Sequence, residues 1–386
     1  MHQGRDFIVF SDDCGWHPSS CQHLFRRIAT GNRVLWVETI GLRSPKLTVY
    51  DLRRIAEKLR NFARRDMSSG EVMWAPVPDG LVRYSPPMHP FYGNRIGALI
   101  NDVVLERLIR DKARSLGMTR PLLVTTVPNV AGLIGHLGEC ASVYYCVDDF
   151  KTWPGFLGDA IQRMEGELVR KADALAVTAS HLIAGLARPG RPVLHLPHGV
   201  DVEMFSAGGP EPAPIASVPR PRLMSLGLWD KRVDVGLLEV MATRRPDWHV
   251  VLVGKRTVPP CGLDSLPNVH VFPQVPYRDV PAWLAAADVL MIPYSRNEQT
   301  DTLSPLKLRE FLATGCPIMV TGLPEIVKAG QGLIPTGDGA DAFIAAAQDA
   351  LNRAGESAAR QALVRDESWE ARARNLLDFV DPLFDL

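Results

Sequence analysis

No run of about 18 apolar residues occurs anywhere in the chain, so the sequence predicts no helix that spans a bilayer. Neither sign of charge is in excess. Lys and Arg number 43 against 43 Asp and Glu, and that balance argues against a nucleic-acid footprint on the whole molecule. Cysteine is sparse: Cys14, Cys21, Cys140, Cys146, Cys261 and Cys316 form no C-x-x-C pair and no other zinc spacing. Several fall in expected strands or helices, as buried thiols do, so they read as reduced, in a cytoplasmic protein. Met1–Asp6 leads straight into Phe7–Phe10, which is too short for a signal peptide. No G-x-G-x-x-G follows the first strand, so a dinucleotide fingerprint is absent. No D-x-D suggests a divalent ion, and Asp230 and Asp234 have the wrong spacing for one. The expectation is therefore no metal and no cofactor.

What is present is strand–helix alternation, twice over. Phe7–Phe10, Val34–Val37, Leu122–Thr126, Val143–Val147, Leu175–Thr178 and Val193–Leu196 read as buried parallel strands. A second series follows at Leu223–Leu226, Val250–Val253, Val269–Phe272, Val289–Ile292, Ile318–Thr321 and Leu333–Ile334. With 386 residues, 46% hydrophobic and 22% charged, the chain has material for two soluble domains of ordinary size. The fold class expected is α/β, two doubly wound Rossmann-like domains facing across a cleft. Ser206–Pro214, with Pro219 and Pro221 beyond it, reads as the linker between them.

Two segments break the alternation. Across Asp51–Arg65, Leu52, Ile55, Leu59 and Phe62 form an apolar stripe among Arg53, Arg54, Lys58, Arg60, Arg64 and Arg65. A narrow stripe with a basic face suits an interfacial helix on anionic lipid, and equally a surface helix packed on its own domain. In Ser368–Val380, Trp369, Ala373, Leu376 and Val380 repeat at helical spacing, and this last helix is expected to return to the first domain.

The stretch Ser304–Pro317 concentrates the chemistry. Ser304 suits an N-cap, Pro305 the first helical position, and Gly315 followed by Pro317 a stop. Leu308, Phe311 and Leu312 would face a core, leaving Lys307 and Glu310 on the other edge. Free amides at a helix start beside Lys307 suit a diphosphate. Glu310, one turn deeper, is placed to accept from sugar hydroxyls. The bland alternative is an amphipathic helix with solvated Lys and Glu.

Ligands in open α/β sheets bind at the carboxyl ends of strands. The first strand ends in a polar loop holding Asp13 and His17, which can touch a substrate or merely shape a turn. The strand Val143–Val147 ends in Asp148-Asp149. A carboxylate there can act as general base on a sugar hydroxyl, and because successive residues point to opposite sides, one of the two would serve. His198-Gly199-Val200-Asp201 follows the last strand of the first half, and His198 can reach a ligand or only backbone. In Leu226–Asp234, Ser225 and Gly227 would let a ligand approach, and Lys231-Arg232 would meet its diphosphate unless they form a solvated pair. The loop with Gln274 and Val275 precedes a helix carrying Trp283 and Leu284, and its backbone can read a nucleobase edge.

The order G-L-x-x-K-R, V-L-V-G-K-R, P-N-V-H-V-F, A-A-A-D-V-L-M-I-P-Y and S-P-L-K-L-R-E-F-L-A-T-G-C-P-I resembles the nucleotide-sugar-binding half of GT-B glycosyltransferases. His198-Gly199-Val200-Asp201 to Phe205 is similar to the family's entry to the second domain. The large retaining branch carries E-x7-E and R-x4-K. Here Glu310 stands at the second Glu but Thr302 at the first, and Leu228 and Val233 replace the basic pair. The pattern is closer to exopolysaccharide enzymes such as the xanthan glucuronosyltransferase and teichuronic-acid types, with P-Y before an S-x-K-L helix and Y-x-x-x-D after a mid-domain strand. The resemblance implies Asp148 as inverting base, Lys307 on the donor diphosphate, Tyr294 lining the donor site and Glu310 on the ribose. It implies an acceptor-binding domain at 1–200 with 367–386 returning to it, and a donor-binding domain at 201–366. The activity implied is metal-independent transfer from a nucleotide diphosphate-sugar to a glycan or lipid-linked acceptor in cell-surface polysaccharide synthesis, at the inner membrane face. A retaining transferase, a non-hydrolysing sugar-nucleotide epimerase and a non-catalytic nucleotide-sugar-binding subunit share the architecture and stay open.

Overall fold

The computed structural model describes residues 3–12, 14–15, 18–38, 75–88, 95–152 and 158–385. Asp13, His17 and the basic stretch Asp51–Arg65 lie outside the described residues. The chain divides into two units, 1–197 with 373–386, and 198–372.

Among the described residues the first unit holds seven parallel strands: β1 (Asp6–Ser11), β2 (Arg33–Glu38), β3 (Leu81–Tyr84), β4 (Leu122–Thr125), β5 (Ala141–Cys146), β6 (Ala174–Val177) and β7 (Val193–His195). Their order is β3-β2-β1-β4-β5-β6-β7. β1 is buried along its whole length because both faces of a parallel sheet are covered, which is why its residues are apolar without alternation. Ile8 sits between Leu35 of β2 and Leu123 of β4. The strand β3 was not among the expected strands. It is a short edge strand whose Arg83 reaches Glu38 of β2 at 2.7 Å, so a charged residue replaces one apolar signal.

The second unit holds β8 (Arg222–Leu226), β9 (His249–Val253), β10 (Val269–Phe272), β11 (Val289–Ile292) and β12 (Ile318–Val320), all parallel, in the order β10-β9-β8-β11-β12. The expected strand Leu333–Ile334 does not form. Gln331 takes a left-handed conformation after the helix Pro324–Gly330, and only Thr336 makes a bridge, to Val320. In both sheets the strand order reverses beside the first strand of the unit. The resulting crevices at the carboxyl ends of β1/β4 and β8/β11 are where open α/β sheets bind ligands.

The proline-rich stretch is not a linker. Phe205, Ile215 and Val218 are buried in the core of the second unit, and Glu211 pairs with Arg222 at 2.9 Å. Ser206–Pro214 itself is exposed or half-buried, but it lies within the second unit rather than between the two. The helix Trp369–Val380 buries Trp369, Ala373, Leu376 and Val380 as its periodicity predicts. Beyond it, Asp381 pairs with Arg5 at 2.8 Å and Phe384 meets Phe7 edge-on, joining the tail to β1.

Candidate active site

In the second unit the site is built at the carboxyl ends of β8 and β11. The helix Lys307–Thr314 starts later than Ser304 and Pro305 predict. Its first turn closes through i→i−3 bonds, Leu308 N–H to the Pro305 carbonyl and Arg309 N–H to the Leu306 carbonyl, both 3.1 Å. Ser304 is therefore not the cap. Its carbonyl accepts a hydrogen bond from the His198 Nε2, at 2.8 Å. Gly315 ends the helix at φ 74°, where a left-handed residue is needed and glycine takes it without strain.

Lys307 is half-buried, and its Nζ donates to the Leu226 carbonyl at the end of β8, 3.1 Å away. Among the described residues no carboxylate pairs with it. Ser225, Gly227, Trp229, Gly254 and Lys307 line one small pocket. Gly227 has φ 132°, and a Cβ there would stand 3.0 Å from the Lys307 Nζ, so glycine leaves room for the ammonium. The Lys307 Nζ lies 5.1 Å from the centroid of the buried Tyr294 ring, and the Arg232 guanidinium carbon lies 5.4 Å from it. Burial raises the Tyr294 phenol, but Lys307 and Arg232 outweigh it and leave the group below its ordinary value.

Of the expected basic pair, Lys231 is exposed, while Arg232 is tied to Asp230. Nε and Nη2 of Arg232 donate to the Asp230 oxygens at 3.0 and 2.9 Å. Asp234 caps the helix Val235–Arg244, accepting from Leu237 N–H at 2.9 Å. Glu310 is buried and accepts from the Tyr277 hydroxyl at 2.9 Å. Burial pushes its carboxyl up to about 7, against the pull of that hydrogen bond and of Lys307. Tyr277 belongs to the same loop as Gln274, which is exposed, and Val275, which packs partly on the core. Sequence reasoning missed both Tyr277 and Asp230 as partners. Asp230 lies two residues from Arg232, a spacing that could have signalled the pair, whereas Tyr277 and Glu310 are brought together by the fold alone.

His198 is buried against Ser304, and burial, with Arg309 close by, lowers its pKa to about 3. It is neutral, and its Nε2 reaches backbone.

In the first unit Asp148 and Asp149 follow β5. The Asp149 carboxylate accepts from the Lys151 N–H at 3.1 Å and its carbonyl from the Thr152 hydroxyl at 2.9 Å, so it shapes the turn. The Asp148 carbonyl accepts from the Cys146 thiol at 3.3 Å and the Val147 carbonyl from the Thr178 hydroxyl at 2.8 Å, which anchors the backbone that carries Asp148. Beneath the turn, Glu165 is buried. It accepts from the Tyr144 hydroxyl at 2.9 Å and lies 3.8 Å from the Lys151 ammonium. Burial raises its pKa despite those two partners.

A helix-borne lysine at the switch point of a doubly wound sheet, beside the glycines that follow β8 and β9, can hold a phosphorylated ligand. Residues 220–353 match the family described as glycosyl transferases group 1. The matched residues all lie in the second unit. Over most of its length the chain is similar to a Bacillus subtilis protein named as a teichuronic acid biosynthesis glycosyltransferase, at 24% identity, covering 90% of this chain and 88% of that one. It is also similar to a GDP-mannose-dependent monoacylated alpha-(1-6)-phosphatidylinositol monomannoside mannosyltransferase of Corynebacterium glutamicum, 27% identical over 48% of this chain and 55% of the other. Among solved structures, Anabaena HepE in complex with UDP and glucose superposes with a TM-score of 0.65 at 12% identity, covering 98% of this chain and 100% of that one. The fold is GT-B, and the chain is similar to GT-B glycosyltransferases, among them one of the teichuronic-acid type.

Proposed function

We propose that the protein transfers a sugar from a nucleotide diphosphate-sugar to a glycan or lipid-linked acceptor in cell-surface polysaccharide synthesis, with inversion. The observation that carries this reading is Lys307: a half-buried ammonium at a helix start, opposite Gly227, whose hydrogen bond goes to a backbone carbonyl and which no described carboxylate neutralises. Such a cation, with the helix N-terminus, suits the charge that builds on a departing diphosphate. Glu310, held by Tyr277 one turn further along, would accept from ribose hydroxyls. The second unit is the donor side in this reading and the first unit the acceptor side.

The base would be Asp148. Its neighbour Asp149 is committed to the turn, and a carboxylate is the side chain suited to take a proton from an attacking sugar hydroxyl. The scheme asks for no metal and no cofactor beyond the donor. A lipid-linked acceptor is supported by the name of the corynebacterial relative, and polysaccharide synthesis by that of the Bacillus relative.

Calorimetric titration with UDP, GDP and ADP tests the donor site. Lys307→Ala should weaken the preferred nucleotide by about 1.5–3 kcal/mol, the range for a hydrogen bond to a charged group. Asp148→Asn should abolish sugar transfer while leaving that nucleotide affinity near the parent value. Retained transfer in Asp148→Asn would remove the base assignment.

A further inference from the structure

Arg232 does not present an open guanidinium to the site. Its fork is occupied by Asp230 through Nε and Nη2, and the Asp230 Oδ1 also accepts from the Arg232 backbone N–H at 3.0 Å. The pair is largely shielded, with side-chain exposures of 18% and 22%. Arg232 also lies against the Tyr294 ring that Lys307 approaches, with the guanidinium carbon 5.4 Å and the ammonium 5.1 Å from its centroid. A planar guanidinium binds a carboxylate and a phosphoryl group in the same two-pronged way. The carboxylate of Asp230 therefore stands where a phosphoryl group could stand.

We infer that Asp230 is an internal competitor for the donor's diphosphate, a specificity-determining residue whose carboxylate exchanges with a phosphoryl group on Arg232 when the nucleotide binds. This rests on the donor-site reading of Lys307. The exchange costs the protein an ion pair and returns one to the ligand. It is favourable for a ligand that offers paired anionic oxygens to Arg232 while engaging Lys307, as a diphosphate does. A ligand with one weakly anionic group gains too little to displace the carboxylate. The turn itself does not need the charge, because an asparagine oxygen can accept the same Arg232 N–H.

The test is titration of UDP, GDP and ADP into the full-length protein and into Asp230→Asn, Arg232→Gln, the double variant and Lys307→Ala. Asp230→Asn should bind the preferred nucleotide about three- to tenfold more tightly, the scale of a partly exposed ion pair released to the ligand. Arg232→Gln should bind it more weakly, and the double variant should show no gain over Arg232→Gln alone. Unchanged or weaker binding in Asp230→Asn overturns the inference. A gain that persists without Arg232 also overturns it, since relief of general repulsion would then account for the effect. If Lys307→Ala binds as the parent does, the donor-site reading itself falls and this inference falls with it.

Discussion

Single residues carry the chemistry through their surroundings rather than their identity. Glu310 shows this most clearly: removal from water favours its neutral form, whereas Tyr277 and Lys307 favour the charged one, and burial wins. A carboxyl near 7 is half ionised around neutral pH, so it can accept from a ribose hydroxyl once a ligand and its charges settle. The folded state keeps the proton between the ordinary glutamate value of 4.5 and about 7. Its contribution to stability is thus full below 4.5 and is lost as pH rises through 7. Glu310→Gln should remove that loss, leaving the ligand-free variant more stable than the parent at pH 8 by about 2–3 kcal/mol, read from urea unfolding. Equal pH dependence in both proteins would count against a buried, proton-sharing carboxyl.

At the scale of elements, the helix Lys307–Thr314 does two jobs with one amphipathic pattern. Leu308, Phe311 and Leu312 are buried, and Lys307 and Glu310 stand on the other edge, which the proposed donor site would use. Each such apolar side chain contributes roughly 1.5–3 kcal/mol by leaving water, so the core rather than intrinsic propensity holds an eight-residue helix. Its end is set by Gly315, whose φ of 74° disfavours any side chain and whose Cβ position would fall 2.1 Å from the Ser357 Oγ. Gly315→Ala should therefore cost about 1–3 kcal/mol of stability, measured as a lowered unfolding midpoint with an unchanged denaturant slope. The helix and its stop were legible in the sequence because spacing and glycine are local signals. Its true start was not, since the first turn closes on the Pro305 and Leu306 carbonyls while the Ser304 carbonyl is taken by His198, far off in sequence.

For the whole molecule, stability against pH is set by opposed buried groups. His198 has its pKa lowered from 6.5 to about 3, so its contribution is present above 6.5 and is lost as pH falls through 3. Glu310, with Glu165 acting in the same direction, withdraws stability on the alkaline side. Thermal midpoints should therefore peak in mildly acidic solution, and Glu310→Gln should move the peak upward in pH. The C-terminal tail is a second whole-chain device. Phe384→Ala removes an edge-on contact with Phe7 of β1 and a guanidinium contact from Arg5, and should lower stability by about 1–3 kcal/mol by calorimetry.

By itself the sequence determined the two series of parallel strands, because a strand buried on both faces must be apolar throughout, and that signal survives without any partner in view. It also determined the helix stop at Gly315. The tertiary structure alone decided which charges meet. It sent Tyr277 to Glu310 and the His198 ring to a backbone carbonyl, and it left Lys307 without a described carboxylate. It also placed the expected linker inside the second unit, and withheld a strand from Leu333–Ile334. The physical reason is common to these outcomes: periodicity reports burial along one element, whereas pairing depends on which strand ends and helix starts the sheet order brings together.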